Sequence, residues 1–307
     1  MHLLRWGRAY FALQAAAGLF WWALVFASPF VREATLGSLD PVVVAAFDIP
    51  LFVIASAVAA FGVRAAAVVG AGWTAIVAVV LAVYATVTGE AGWGVLAMGA
   101  ATAASLLALC LLLLGRVPTE WILRGPFAFR PATRRANSAN HVATTFGQLV
   151  VFWGFFLVVV PFAITVLERR WDVSLPFPLI AGPAGVAILV LASCLGIASA
   201  VAMSTHGEGT PLPAAMPNRL VIAGPYRWVR NPMALAGVAQ GAGIGLILQS
   251  WLVIAYAVAG SMLWNYAIRP LEEADLKQRF GEEFERYRET VRCWIPKAPK
   301  VGKLRKP

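Results

Sequence analysis

Eight apolar stretches, each near or above the length needed to cross a bilayer, constrain this 307-residue chain more than any other feature. They cover approximately 9–29, 41–62, 65–87, 93–115, 142–167, 178–203, 232–248 and 251–268. A helix needs roughly 20 apolar residues to span about 30 Å of hydrocarbon. The chain is 60% hydrophobic and 13% charged, with a mean hydropathy of +0.74. A water-soluble domain cannot bury that much apolar surface, so lipid must be the solvent. The expected fold is all-α: a polytopic integral membrane protein of about eight transmembrane helices. The last two runs are short, and the break at Gln249-Ser250 is slight, so they read as a tight hairpin, with a re-entrant pair as the alternative.

Charge placement tests this topology independently. With an even number of spans and the N-terminus inside, 22 of the 25 basic residues fall in inner segments. Only Arg32, Arg169 and Arg170 fall outside, the asymmetry that the positive-inside rule demands. Both termini are then cytoplasmic, and the net charge of +10 faces the anionic lipids of the inner leaflet. Membrane lipids are the expected surroundings and nucleic acid is not an expected partner, because no soluble domain carries a basic face interleaved with aromatics. Arg5 and Arg8 precede an apolar run too long for a signal peptide, so it reads as a retained first helix. Arginine outnumbers lysine 20 to 5 and alanine is abundant, which suggests a GC-rich bacterial genome and hence an inner (cytoplasmic) membrane. Cys110, Cys194 and Cys293 show no paired spacing, so neither a disulfide nor a metal site is expected.

The expected organisation has three parts. Residues 1–115 form a four-helix membrane bundle of unknown role and unknown protein partner, 116–140 an arginine-rich cytoplasmic loop, and 141–307 the functional core. Within the first bundle Asp48 stands out as an acid inside an apolar run, two residues before Pro50. An intramembrane carboxylate is a functional hypothesis by default, though a position near the outer end makes it cheap.

The core carries the motifs. Ser204–Asn218, with two glycines, three prolines and His206, interrupts helical structure at the inner interface. Leu220-Val221-Ile222-Ala223-Gly224-Pro225-Tyr226-Arg227-Trp228-Val229-Arg230-Asn231-Pro232 follows. Pro232 suits the first residue of the next helix, whose orphan N–H groups favour an anionic ligand group. Gly237, Gly241 and Gly245 share one helix face and read as a packing stripe rather than a dinucleotide loop, since no strand precedes them. Beyond the hairpin, Leu271, Leu276, Phe280, Phe284 and Tyr287 recur at helical spacing among charges. They mark a C-terminal amphipathic helical segment broken near Gly281. Most of its charges read as a solvated face, but Glu272 and Glu273 fall directly at the end of the last span, level with Tyr226 and Asn231.

Together these residues resemble the isoprenylcysteine carboxyl methyltransferase family, whose relatives include phospholipid methyltransferases. The family pattern Leu-Val-x-x-Gly-x-Tyr-x-x-x-Arg-His/Asn-Pro-x-Tyr is matched at Leu220, Val221, Gly224, Tyr226, Arg230, Asn231 and Pro232. The pattern Glu-Glu-x-x-Leu followed by Phe-Gly-x-x-Tyr/Phe-x-x-Tyr is matched at Glu272, Glu273, Leu276, Phe280, Gly281, Phe284 and Tyr287. Ala234 stands where the family carries Tyr, which bears on one aromatic wall of the donor pocket. The resemblance implies S-adenosylmethionine as methyl donor, held by Asn218, Leu220, Val221, Tyr226, Arg230, Asn231, Pro232, Met233, Ala234 and Glu272. It implies catalytic roles for Glu272 and for Arg269, which falls one residue from the position of a family basic residue that contacts the acceptor. A lipophilic acceptor, a lipid or an isoprenoid-like molecule, would enter sideways between helices. A carboxylate acceptor needs no base; an amine or hydroxyl would, and His206 and His141 are the inner-side histidines available. Two other readings remain at this point: an NADPH-dependent lipid or sterol-type reductase, and a non-enzymatic membrane scaffold.

Overall fold

The computed structural model describes residues 2–121, 147, 150–207 and 218–296. His141 and residues 122–140 of the arginine-rich loop lie outside the described residues. The described chain is helical, with no strand among the described residues. Its helices are α1 (His2–Ala27), α2 (Pro29–Leu36), α3 (Pro41–Ala60), α4 (Arg64–Thr88), α5 (Gly92–Leu114), α6 (Val150–Arg170), α7 (Ala181–His206), α8 (Pro232–Leu248), α9 (Trp251–Leu263) and α10 (Arg269–Thr290). Among the described residues seven helices are long and apolar enough to cross a membrane, counting α9 with its continuation, and α8 is a shorter apolar helix. This is an all-α polytopic membrane protein. Phe20, Phe30, Val83 and Leu191 lie exposed on helix exteriors, an arrangement that only lipid makes favourable.

Two compact units divide the chain: Met1–Pro118 with Val166–Ser174, and Thr119–Thr165 with Leu175–Pro307. In the first, α1 packs on α3 and α5, and α4 on α3 and α5. Ser28 and Asp40 cap α2 and α3 by accepting hydrogen bonds from Val31 N and from Val42 N and Val43 N, each with a proline at the first helical position. Close backbone approach fixes two glycines of α5: a Cβ on Gly92 would meet Trp171 O at 2.0 Å, and one on Gly94 would meet Thr35 O at 2.1 Å. Asp48 is 4% exposed, and its two carboxyl oxygens accept from Trp22 Nε1 at 2.9 Å and Trp73 Nε1 at 2.8 Å. The acid thus joins three helices. Directly after it Pro50, which has no N–H to continue the ladder, sits in a π-helical turn, Ile49–Ile54. A second buried polar group links α1, α3 and α5: Gln14 donates to Ser56 Oγ at 3.0 Å and accepts from Ser105 Oγ at 2.7 Å and Tyr10 OH at 2.5 Å.

In the second unit α7 and α8 pack backbone to backbone. A Cβ on Gly185 would lie 2.6 Å from Gly243 O, and one on Gly243 would lie 2.9 Å from Gly185 O. Gln240 donates across the same seam to Ser193 Oγ at 3.0 Å. On its other side α8 meets α9, with Gly241 against Ala257 and Gly245 against Ile254. The proposed stripe of three glycines therefore has two packing members, since a Cβ on Gly237 would meet nothing within 4 Å. The hairpin is tight: Gln249 takes the left-handed conformation (φ 52°), and Ser250 caps α9 through Val253 N. A 17-residue helix is about 25 Å long, slightly less than the hydrocarbon thickness.

The apolar part of α9 runs through a π-helical turn, Trp264–Ile268, directly into α10. The amphipathic segment is thus a continuation of the last span with no loop between them. α10 is broken at Gly281 (φ 52°, ψ −124°), a conformation that disfavours any residue with a side chain. Likewise α7 continues to His206, so the break assigned to Ser204–Asn218 begins only after that residue.

Candidate active site

The loop from Arg219 to Asn231 is held at both ends. Gly207 O, at the end of α7, accepts from Asn218 N at 2.7 Å and Arg219 N at 3.1 Å. Val221 and Tyr226 then pack with Ala202 and Met203 of α7 in one small apolar cluster. Gly224 (φ +57°) lets the chain turn against α7, where an added Cβ would lie 3.2 Å from Ala202 Cβ. A 3₁₀ turn, Gly224–Arg227, follows and puts the Tyr226 ring inside with 5% exposure. Its hydroxyl points at Met203 Sδ, 3.9 Å away.

From the opposite side α10 clamps this loop. Tyr287 OH donates to Tyr226 O at 2.7 Å. Phe284, Tyr287 and Val291 form a buried cluster, with Leu220, Leu276 and Phe280 packed against it. Five of these six residues belong to the two sequence motifs, which therefore serve as the joint between loop and helix. Leu220, which the resemblance assigned to the donor, lies in this joint. Burial raises the Tyr287 phenol far above its usual range, partly opposed by Arg230.

Charge gathers where α8 begins. Arg230 approaches Glu273, with Nη2 3.3 Å from Oε1 and side chains 11% and 21% exposed. The pair is ionic without hydrogen-bond alignment. Arg230 Nε and Nη1 are buried and meet no acceptor among the described residues, and Glu273 Oε1 receives no hydrogen bond. Asn231 precedes Pro232 at the helix start, and no side chain caps it. The first-turn N–H groups, at Met233 and Ala234, thus share one corner with an under-satisfied guanidinium, which suits an anion.

Glu272 supplies the opposite pole. Its carboxyl is raised to about 7, first by burial and then by the like charges of Glu273 and Asp275. The residue keeps part of its surface exposed, so the crowding is local to the carboxyl. Burial, then the charge of Glu272, then Tyr287, raise the Tyr226 phenol well above its ordinary value. Arg269 opens α10 one turn before Glu272, and its Nε reaches Asn265 O at 3.4 Å.

Tyr226, Arg230, Asn231, Pro232, Met233, Ala234 and Glu272 are therefore brought to one corner, while Asn218, Leu220 and Val221 lie in the irregular segment leading into it. Sequence reasoning missed Glu273 as the partner of Arg230, although its adjacency to Glu272 was a signal. It gave no role to Arg292, Cys293, Trp294 or Ile295, whose residue types carry no signal. His206 ends α7 exposed, its Nδ1 near Thr205 Oγ1 (2.8 Å) and Ala202 O (3.1 Å).

Residues 181–283 match the Phospholipid methyltransferase family model, about a third of the chain. The matched stretch runs from the start of α7 through the hairpin to just past Gly281, so it includes the loop, α8 and Glu272. The match is to a family of membrane methyltransferases related to the isoprenylcysteine carboxyl methyltransferases, in agreement with the resemblance read from the motifs. No curated protein and no solved structure matches the chain.

Proposed function

We propose that the α7–α10 domain transfers a methyl group from S-adenosylmethionine to a lipophilic acceptor at the cytoplasmic face of the membrane. The observation that carries this reading is the two-pole corner, with an under-satisfied Arg230 at an uncapped helix start and, one helix away, the Glu272 carboxyl. A donor with an α-carboxylate at one end and hydroxyls and an ammonium nearby fits both poles. When bound, that donor supplies a methyl group on a sulfonium, whose charge is lost as the methyl leaves.

Arg230 and the first-turn N–H groups of α8 bind the carboxylate. Glu272 accepts hydrogen bonds from the donor's hydroxyls or ammonium and stays off the sulfonium, since holding a charge that vanishes in the transition state would slow the reaction. Tyr226, fixed by Tyr287, forms the apolar wall. Arg269, at the membrane end of the corner, orients an anionic group of the acceptor. Orientation of two reactants can remove roughly 7–11 kcal/mol of a barrier, so positioning alone is a sufficient role for these residues.

A carboxylate acceptor attacks at neutral pH without a base and is the first reading of the acceptor. An amine headgroup is the second. It is favoured by the description of the matched family and by Glu272, whose pKa of about 7 suits removal of an ammonium proton. Incubating membranes that contain the protein with methyl-labelled donor and bacterial lipid extracts tests the reading. Base-labile label in lipid identifies an ester, base-stable label an amine, and no label in any lipid fraction removes the proposal. The reductase and scaffold readings gain nothing from the matched family.

A further inference from the structure

Beyond α10 the chain turns back to the candidate site. Val291 leaves the helix in extended backbone (φ −112°, ψ 126°), and Val291–Pro296 lies against two of the elements that build the corner. Arg230 N donates to Arg292 O at 2.9 Å. Asn231 Nδ2 points at Cys293 Sγ, 3.7 Å away, a weak bond because sulfur is a poor acceptor. Trp294 Nε1 donates to Asn265 Oδ1 at 3.0 Å, and its ring meets Trp264 edge to face at 5.2 Å.

Asn265 and Trp264 both belong to the π-helical turn between α9 and α10. A π turn adds a residue to one turn and so redirects the side chains around it; such turns recur at functional sites. Here the two redirected side chains meet the same indole. The indole N–H can only donate, which fixes the Asn265 amide with its oxygen toward Trp294.

We propose that Trp294 and Asn265 are positioning residues, whose bond pins Val291–Pro296 as a strap across Val229–Asn231 and so sets Arg230 and Asn231 for the donor. The proposal rests on the donor reading given above. The strap is anchored at one end by buried Val291 in the Phe284–Tyr287 cluster and at the other by Trp294. Between the anchors, Arg292 supplies the acceptor that holds the Arg230 amide. Without the second anchor the strap is held at Val291 and by the Arg292 and Cys293 contacts alone, and the corner loses part of its fixed backing. Displacement of a binding group by about 1 Å is enough to cost a hundredfold in rate.

The test uses the full chain in detergent and two readouts. Trp294→Phe keeps a ring against Trp264 and removes only the N–H; Asn265→Leu removes the other partner. Hydrogen–deuterium exchange of the peptide spanning Val229–Pro232 reports the strap with no ligand present, and calorimetry with S-adenosylhomocysteine reports the donor corner. Faster exchange in both variants is expected, with affinity lowered about three- to tenfold, the effect of one neutral hydrogen bond. The double variant should be no worse than either single one. Unchanged exchange overturns the strap itself. Faster exchange with unchanged affinity overturns its positioning role. A wild-type protein that binds no S-adenosylhomocysteine refutes the donor reading, and the positioning role with it, while the exchange data still report whether the strap exists.

Discussion

At Glu272 one proton separates two states of the site. Its carboxyl is raised to about 7 from an ordinary 4.5, so the folded protein holds that proton where the unfolded chain has released it. The associated stability is fully present below pH 4.5 and is lost as pH rises through 7. The unliganded protein should therefore unfold at lower temperature at pH 8 than at pH 5, and Glu272→Gln should flatten that slope in a thermal melt. Binding runs the other way. Accepting hydrogen bonds from an ammonium or hydroxyls needs the carboxylate, so affinity for S-adenosylhomocysteine should rise about tenfold between pH 6 and pH 8 in the wild type and stay flat in Glu272→Gln. A wild-type affinity that falls over this range would contradict the role given to Glu272. This residue was legible in the sequence because an acid at the end of an apolar run must lie at the interface. Its perturbed carboxyl was not, since that comes from the crowding of Glu273 and Asp275 on a folded helix. The adjacency of Glu273 to Glu272 hinted at a second acid in the site, but its ion pair with Arg230 was not legible, as nothing local relates residues so far apart in the chain.

At the scale of elements, the seam between α7 and α8 and the three-helix junction at Asp48 make separable demands. Gly243→Ala places a Cβ 2.9 Å from the Gly185 carbonyl, whereas a Cβ at Gly237 meets nothing within 4 Å. The first should cost about 1–3 kcal/mol of stability; the second should be neutral or slightly favourable, since alanine is the better helix former. Comparing their unfolding midpoints in detergent separates close packing from a generic small-residue stripe, and equal effects would remove the distinction. Asp48→Asn replaces one acceptor with an NH₂ facing an indole N–H, so it should destabilise the first unit by about 1–3 kcal/mol while leaving donor affinity unchanged. Loss of donor binding in that variant would return Asp48 to the functional residues. The glycine spacing was readable in advance, but which partner each glycine meets was not. Helical periodicity gives a face, and only the three-dimensional packing shows that α8 is pressed on two sides.

For the molecule as a whole, hydropathy made the helical membrane fold legible almost completely, because a lipid solvent leaves a chain of this composition few alternatives. The motif order likewise placed loop, hairpin and amphipathic helix together, and the matched family model covers residues 181–283, which end within that last helix. The continuous passage from α9 into α10, and the strap beyond it, were not legible: both depend on a π turn that no residue pattern announces. The central claim is that this domain holds S-adenosylmethionine between Arg230 and Glu272. Calorimetric titration of the purified full-length protein with S-adenosylmethionine and S-adenosylhomocysteine, with NADPH as control, tests it most directly. Micromolar binding of both sulfur ligands, lost in Arg230→Met and weakened in Glu272→Gln, with no response to NADPH, is the expected result. Binding that survives both substitutions, or a response to NADPH alone, would contradict it.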